Sequence, residues 1–186
     1  MKIRGLVITA SLFIAAVALA HDGGDRDHGS KPAKGHSGEL VRTVRDATRR
    51  YHDVRNAEAD GYQLMFGCVS GPDDGAMGLH YVNMALVGDG VIDPSRPEIV
   101  IYEPLPNGGR RLIGADFLIF YGAWHAANTG TPELGGQLMH LIDSPNRYGL
   151  PAFYTLHVWA WKPNPTGAFV NWHSDVSCEQ FEGVGG

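Results

Sequence analysis

One amphipathic helix followed by a series of short strands is the pattern that most limits the folds open to this chain. Apolar residues recur every three or four positions between Leu40 and Ala57, with Ser37 placed to cap the helix and Gly61 to end it. Segments rich in β-branched and aromatic residues follow at 77–87, 98–103, 111–121, 153–162 and 168–172. Because no βαβ repeat is present, we predict an α+β domain with an N-terminal amphipathic helix. Its mainly antiparallel, curved sheet has about five strands and can close toward a barrel.

The connections between the strands add two local predictions. Asn107 and Gly108 lie between the second and third strands, which indicates a hairpin there. Thr131 and Pro132 precede Glu133 in the order of an N-cap and a first helical residue. We therefore predict a short helix inside the loop-rich segment 122–150.

The first residues have the pattern of a secretory signal peptide at 1–20. Lys2 and Arg4 form a basic start, an apolar stretch follows, and Ala18-Leu19-Ala20 is a small-x-small cleavage site. The apolar stretch is too short for a comfortable membrane span, and no second one follows it. We predict an exported protein, periplasmic or secreted, with no transmembrane segment after signal removal.

The rest of the chain divides into a polar tail and one domain. Residues 21–37 are dominated by small, charged and polar types, which is typical of a disordered tail. Residues 38–186 have the length of a single globular domain. Loss of Lys2 and Arg4 with the signal peptide changes the formal net charge from −5 to −7. An acidic chain without an aromatic-interleaved basic patch is not expected to bind nucleic acid.

The two cysteines, Cys68 and Cys178, stand at opposite ends of the predicted domain. In an oxidising compartment such a pair forms a disulfide. A thiolate metal or redox site is the alternative, but the spacing of a Cys-x-x-Cys motif is absent. We predict a disulfide that closes a loop of roughly 110 residues.

Two histidines lie on faces of strands that are otherwise apolar. Alternation places His80 on the side of Met84, and His157 on the side of Trp159 and Trp161. A buried imidazole needs a partner, because an unpaired polar group costs about 1–3 kcal/mol. We predict that the two histidines form the polar centre of a pocket lined by Met84, Trp159 and Trp161.

A metal ion is one partner that would explain these histidines. Two histidines and a carboxylate on adjacent strands can form an open site for copper, zinc or iron. The carboxylate would come from either of two strand acids, loop histidines can close over the ion, and Met84 as a soft ligand would favour copper. The candidate ligands are His80, His157, Glu103, Asp116, His125 and His140. In the structural alternative, each strand histidine only donates to a carbonyl or an acid, as in a His80–Glu103 pair.

The functional classes that remain are few. Phosphate-loop, dinucleotide, nucleophile-elbow and His-Glu-x-x-His motifs are absent, so the sequence leaves open whether the protein is an enzyme. Binding of a transition metal ion in an aromatic-lined pocket is the first interpretation. The second is a non-enzymatic module for a small molecule, in which the histidines are structural. The third is an envelope protein-interaction domain that uses Arg42, Arg45 and Arg49 of the helix; the oligomeric state stays open.

Four segments resemble an uncharacterised family of exported bacterial proteins. They are AMGLHYVN at 76–83, PEIVIYEP at 97–104, LHVWAWKPNPTGAF at 156–169 and VSC at 176–178. The resemblance covers most of the chain from about residue 45 to Cys178. It implies a single exported domain that ends near the second cysteine, and it implies no reaction, substrate or cofactor.

Overall fold

The computed structural model describes residues 34–71 and 73–182. The predicted signal peptide at 1–20 and most of the predicted tail at 21–37 lie outside the described residues. The last residues of that tail belong to helix α1, which begins at Lys34. Ser37 therefore lies inside α1 and does not cap it.

The predicted N-terminal helix is present, but it is divided. Helix α1 (Lys34–Thr48) continues into a 3-10 turn (Arg49–His52) and is followed by α2 (Val54–Ala59). Asp53 separates the last two with an extended backbone (φ −91°, ψ 109°), and its side chain accepts a hydrogen bond from Arg55 N. A short acid that caps a new helix competes with continuation of the old one, which explains the break.

The strands form a curled antiparallel sheet, which confirms the predicted α+β class. Within the described residues, six strands pair in the order β1-β2-β3-β4-β8-β7 and close into a half-barrel. A second, two-stranded sheet pairs β5 with β6. The strands are β1 (Gln63–Ser70), β2 (Ala76–Val82), β3 (Ile99–Pro104), β4 (Arg110–Phe120), β5 (Glu133–Leu134), β6 (Gln137–Leu138), β7 (His140–Ile142) and β8 (Phe153–Val158). The predicted hairpin is the β3–β4 pair.

Two glycines let the strands of this sheet approach closely where it bends. A Cβ on Gly78 of β2 would lie 2.5 Å from Tyr102 O, and one on Gly114 of β4 would lie 2.6 Å from Val158 O. Both glycines adjoin register shifts, at Ala76/Gly78 in the β1–β2 pair and at Leu112/Gly114 in the β3–β4 pair. Bulges of this kind bend a strand and increase its twist, which supports the curl of the sheet.

Strand β1 is an element that the sequence analysis missed. Its pairing with β2 shifts register between Met65 and Cys68, and the two residues between them, Phe66 and Gly67, both have positive φ (65° and 66°). This irregularity breaks the alternation by which strands are recognised. A left-handed backbone is rare for an aromatic residue, so the surrounding pairing must hold Phe66 in place.

Three local predictions were wrong. The strand predicted at 77–87 ends at Val82, because Asn83 accepts a hydrogen bond from Ala85 N and starts helix α3 (Met84–Val87). The helix predicted at Thr131–Leu134 is instead the β5–β6 hairpin. The strand predicted at 168–172 consists of turns, and only Ala168 O pairs with Trp159 N, at 3.0 Å. A further short helix, α4 (Tyr121–His125), follows β4.

The predicted disulfide is confirmed. Cys68 of β1 is bonded to Cys178, 110 residues later, with 5.7 Å between the Cα atoms. The same terminal segment pairs with β2, since His173 and Ala76 exchange two backbone hydrogen bonds. The terminal segment is therefore fastened to the β1–β2 edge of the sheet by both covalent and hydrogen bonds.

We expect the variant Cys68→Ala/Cys178→Ala to lose about 4–5 kcal/mol in free energy of unfolding, because the unfolded chain is released from a long closed loop. Urea denaturation of the variant and of the oxidised wild type measures this difference. Reduced wild type should match the variant. A loss below about 1 kcal/mol would show that the β1–β2 edge holds the segment without the covalent bond.

A buried acid closes one end of the β3–β4 pair. Glu98 precedes β3, is 1% exposed, and accepts a hydrogen bond from Leu118 N at 3.1 Å. Burial raises the pKa of Glu98 to about 8, although hydrogen bonds from backbone N–H groups act to lower it. The carboxyl therefore keeps its proton near neutral pH in the folded protein, while in the unfolded chain it ionises above about 4.5.

We expect the stability of the wild type relative to Glu98→Gln to fall as pH rises from about 4.5 to about 8, because the folded wild type holds a proton on Glu98 that the unfolded chain has lost. Glu98→Gln keeps an acceptor for Leu118 N and cannot ionise, so it lacks this contribution while the other buried ionisable groups are common to both proteins. Thermal unfolding with a chelator present measures the difference, and Glu58→Gln, at an exposed position of α2, is the control. Parallel pH profiles for wild type and Glu98→Gln would contradict the assignment.

Candidate metal centre

Three ionisable side chains from three strands meet on the concave side of the sheet. His80 lies on β2, Asp116 on β4 and His157 on β8, and each is 6% exposed or less. One possible ligand atom from each lies within 4.8 Å of the other two. We call these residues the metal triad, because this buried group can hold a metal ion.

The curl of the sheet brings the two histidines together. Asp116 and His157 are direct partners in the β4–β8 pairing, with 3.6 Å between Oδ1 and Nδ1. His80 is three strand positions away from His157, which in a flat sheet is roughly 14 Å. Their ring centroids are 5.8 Å apart. Strand pairing therefore sets the distance between Asp116 and His157, and the curvature of the sheet sets the distance between His80 and His157.

His80 is oriented with one nitrogen available. Its Nδ1 lies 3.1 Å from Gly78 O. A carbonyl only accepts, so Nδ1 carries the proton in this hydrogen bond and Nε2 keeps its lone pair. Burial, together with the nearby His157, lowers the pKa of His80 to about 4. The neutral ring is the form that binds metal ions, and a hydrogen bond from the other nitrogen is the usual way in which proteins orient it.

Asp116 is held in place by its neighbours on β8. Its Oδ1 accepts a hydrogen bond of 2.6 Å from Thr155 Oγ1 and one of 3.1 Å from Leu156 N. Burial nevertheless raises the pKa of Asp116 to about 6. A nearby cation would stabilise the ionised form, so this carboxyl is poised to gain from a bound ion.

His157 is the member of the triad whose ring makes no hydrogen bond. Both Nδ1 and Nε2 are buried without a hydrogen-bond partner. The amide of Asn171 lies beside the ring and slightly offsets its pKa shift, yet it is outside hydrogen-bonding geometry, and Asn171 Oδ1 is itself unpaired. Burial, with His140 nearby, lowers the pKa of His157 to about 3. A neutral imidazole with two unused nitrogens is unusual in a protein interior, and a ligand at either nitrogen would remove the cost.

The triad opens on a small cavity, which we call the ion cavity. Its volume is about 40 Å³, whereas one water needs about 10–15 Å³, so there is room for two or three water-sized groups. Apart from the triad, Thr155 and Asn171, its walls are apolar and aromatic. Three ligand atoms bound to one ion at about 2.1 Å lie about 3.0–3.6 Å from one another, so the triad must contract by up to about 1.2–1.8 Å to hold an ion.

Three of the predicted ligands lie elsewhere. Glu103 follows the bulge in the β3–β4 pairing and bonds to Arg111 and to Lys162, at 2.6 Å from Lys162 Nζ. Burial alone would raise the pKa of Glu103, but Lys162 and Arg111 lower it overall. His125 Nε2 lies 3.0 Å from Tyr154 Oη, and His140 is exposed at the edge strand β7. The proposed His80–Glu103 pair does not form.

Two of the three predicted wall residues are also misplaced. Met84 is 53% exposed on α3, since the strand ends before it. Trp161 lies toward the helices, where its Nε1 donates to Thr48 Oγ1 at 2.9 Å. Trp159 does pack against the site, with its ring centroid 5.7 Å from that of His157, while its Nε1 donates to Val170 O.

The walls of the ion cavity include residues that the sequence analysis missed. The bulge before Gly78 places Met77 in the same cavity as His80, although strict alternation would separate them. Tyr148 donates to Met77 Sδ at 3.7 Å, and Phe66 comes from the irregular part of β1. The one signal in the sequence was Gly78 inside a strand segment. A glycine in a strand indicates a bulge, but it does not show which side chains the bulge moves into the site.

Searches against protein-family models, curated proteins and solved structures returned no match. Within residues 34–71 and 73–182, no helix is long and apolar enough to cross a membrane.

We expect His157→Phe to be as stable as the wild type or about 1 kcal/mol more stable when metal is absent, because two unpaired buried nitrogens are removed. Urea denaturation with a chelator measures the free energy of unfolding. The control is His173→Phe, which should be destabilised because His173 Nδ1 accepts a hydrogen bond from Asp175 N. A loss of more than about 1 kcal/mol in His157→Phe would show that the ring has a structural hydrogen bond.

Proposed function

We propose that the protein binds one first-row transition-metal ion through His80, Asp116 and His157. The observation that carries the proposal is His157, whose two buried nitrogens have no partner although a carboxylate and a second imidazole lie beside it. A structural histidine is expected to use at least one ring nitrogen in a hydrogen bond, as His173 does through Nδ1 although its Nε2 is unpaired, so two unpaired nitrogens favour a ligand over a structural role.

The donor set favours some metals over others. Two imidazoles and one carboxylate suit iron(II), zinc and copper(II), while calcium and magnesium prefer oxygen ligands alone. Thiolates are not available, because both cysteines are in the disulfide. The chain supplies three ligands and the ion cavity leaves space for others, which is the arrangement of an open rather than a purely structural site.

We further propose that the protein works outside the cytosol. Its disulfide is a bond that persists in oxidising compartments, and the signal-like sequence at 1–20 and the resemblance to exported bacterial proteins agree with it. An exported protein would take up its metal ion outside the cytosol.

The other two interpretations have less support from the described residues. A cavity of about 40 Å³ is too small for a planar organic ligand, since ligand pockets are usually about 300–1,000 Å³. Of the three helix arginines proposed for partner binding, Arg42, Arg45 and Arg49, two have partners within the chain. Arg45 donates to Ala160 O, and Arg49 pairs with Asp46 at 2.9 Å. Two of the three arginines are therefore engaged within the chain.

The decisive experiment is metal titration of the untagged protein after chelator treatment, with iron(II), zinc, copper(II) and cobalt(II). We expect one equivalent bound in the wild type, and a loss of affinity of more than about 100-fold in His80→Ala and in Asp116→Asn. Cobalt(II) additionally reports ligand number through its visible absorption.

His125→Ala and His140→Ala are the matched controls, because both remove a histidine that lies outside the triad. Each should retain the full equivalent. Three further histidines in the segment 21–37, His21, His28 and His36, are common to all variants, so they do not affect the comparison. The proposal fails if wild type binds no stoichiometric metal after reconstitution, or if Asp116→Asn and His140→Ala bind equally.

A further inference from the structure

A second cavity adjoins the ion cavity, and we call it the apolar cavity. Its volume is about 50 Å³, and every described residue that lines it is apolar. The two cavities share Phe66, Val82, Ile99, Leu118 and Leu150, so these side chains form the wall between them. The apolar cavity is thus separated from the triad by one layer of side chains.

The apolar cavity also reaches the surface. Met84, which is 53% exposed, lines it together with the half-buried Met65 and the buried Val87. Unbranched methionine side chains adopt many rotamers and move at small cost. One route from the exposed Met84 to the triad therefore passes through the apolar cavity, the shared wall and the ion cavity.

The chemistry of this path selects its occupant. Apolar cavities of this kind stay dry and accept xenon or small hydrocarbons, whereas ions and strongly hydrated molecules lose their solvation on entry. A cavity of about 150 Å³ accepts benzene, and each of the two cavities here is about a third of that size. They fit an uncharged molecule of two or three atoms and exclude an aromatic ring.

We propose that the two cavities admit a small apolar molecule of the size of dioxygen and lead it to an ion held by His80, Asp116 and His157. The destination of the path rests on the proposed function, while the occupancy of the apolar cavity does not. Sites with two histidines, one carboxylate and open positions are suited to molecules of this class when they hold iron(II).

Phe66 occupies a special position on this path. It lines both cavities, its ring lies 5.5 Å from that of Tyr148, and its backbone is in the left-handed region at φ 65°. Strained residues of this kind persist where the surrounding structure holds them, often beside ligand sites. The strain positions an aromatic ring between the two cavities.

The first arm of the test uses xenon and metal-free protein, so it does not depend on the ion. Xenon NMR should show saturable binding in the wild type. Leu150→Phe, at a half-buried loop position of the shared wall, should abolish it by filling the space. Leu134→Phe makes the same change in the core cluster on the helix side and should leave xenon binding unchanged. Leu150→Ala enlarges the cavity and should strengthen binding, which guards against a misfolded filling variant.

The second arm follows nitric oxide binding to iron(II)-loaded protein by stopped-flow absorption and electron paramagnetic resonance. We expect Leu150→Phe, once loaded with iron, to show an association rate about tenfold or more below that of the iron-loaded wild type, and Leu134→Phe to show the wild-type rate. Azide, as a charged ligand of similar size, should bind more slowly than nitric oxide.

The outcomes separate the two proposals. Absence of saturable xenon binding, or equal nitric oxide rates in wild type and Leu150→Phe, would overturn the path even if iron binds with full stoichiometry. Failure of iron uptake would overturn the destination of the path but not a centre that holds another of the four metals, while xenon binding in the same sample would still establish the apolar cavity.

Discussion

The curl of the antiparallel sheet is the constraint on which the rest of the structure depends. A flat sheet would hold His80 and His157 roughly 14 Å apart, and the observed ring separation is 5.8 Å. Gly78 and Gly114 support the curl. Because glycine has no Cβ, a backbone carbonyl of the neighbouring strand can lie close to each of them, where a Cβ would clash. A larger residue at either position would push strands apart and open the triad.

The same curvature creates an unfavourable interior that a ligand would relieve. It places a carboxyl group and two neutral imidazoles among apolar walls, raising the pKa of Asp116 and lowering the pKa values of both histidines through burial. Thr155 and Gly78 satisfy part of this group, and the nitrogens of His157 stay unpaired. A divalent cation would favour the ionised form of Asp116, which burial disfavours, and would bind lone pairs of the histidine nitrogens. Its binding energy would therefore add to the stability of the fold.

Sequence reasoning located part of the site because regular strands follow a simple rule. Alternation placed His80, Asp116 and His157 on apolar faces, and their strands are regular at those positions. It failed for Glu103, which lies beyond the register shift in the β3–β4 pairing, and for Met84, where a helix cap ends the strand. Strand β1 was missed for the same reason, since Phe66 and Gly67 have left-handed backbones. Bulges depend on the pairing between strands, which no local pattern contains.

The sequence by itself determined the α+β class, the pairing of the two cysteines and the inward direction of His80 and His157, because these follow from periodicity and cysteine number. Only the tertiary structure decided that His80 meets His157, that Asp116 and not Glu103 is their carboxylate, and that a second, apolar cavity lies beside them. The physical reason is that these contacts join strands that are distant along the chain. Their distances depend on how far the sheet bends, a property of all its strands together.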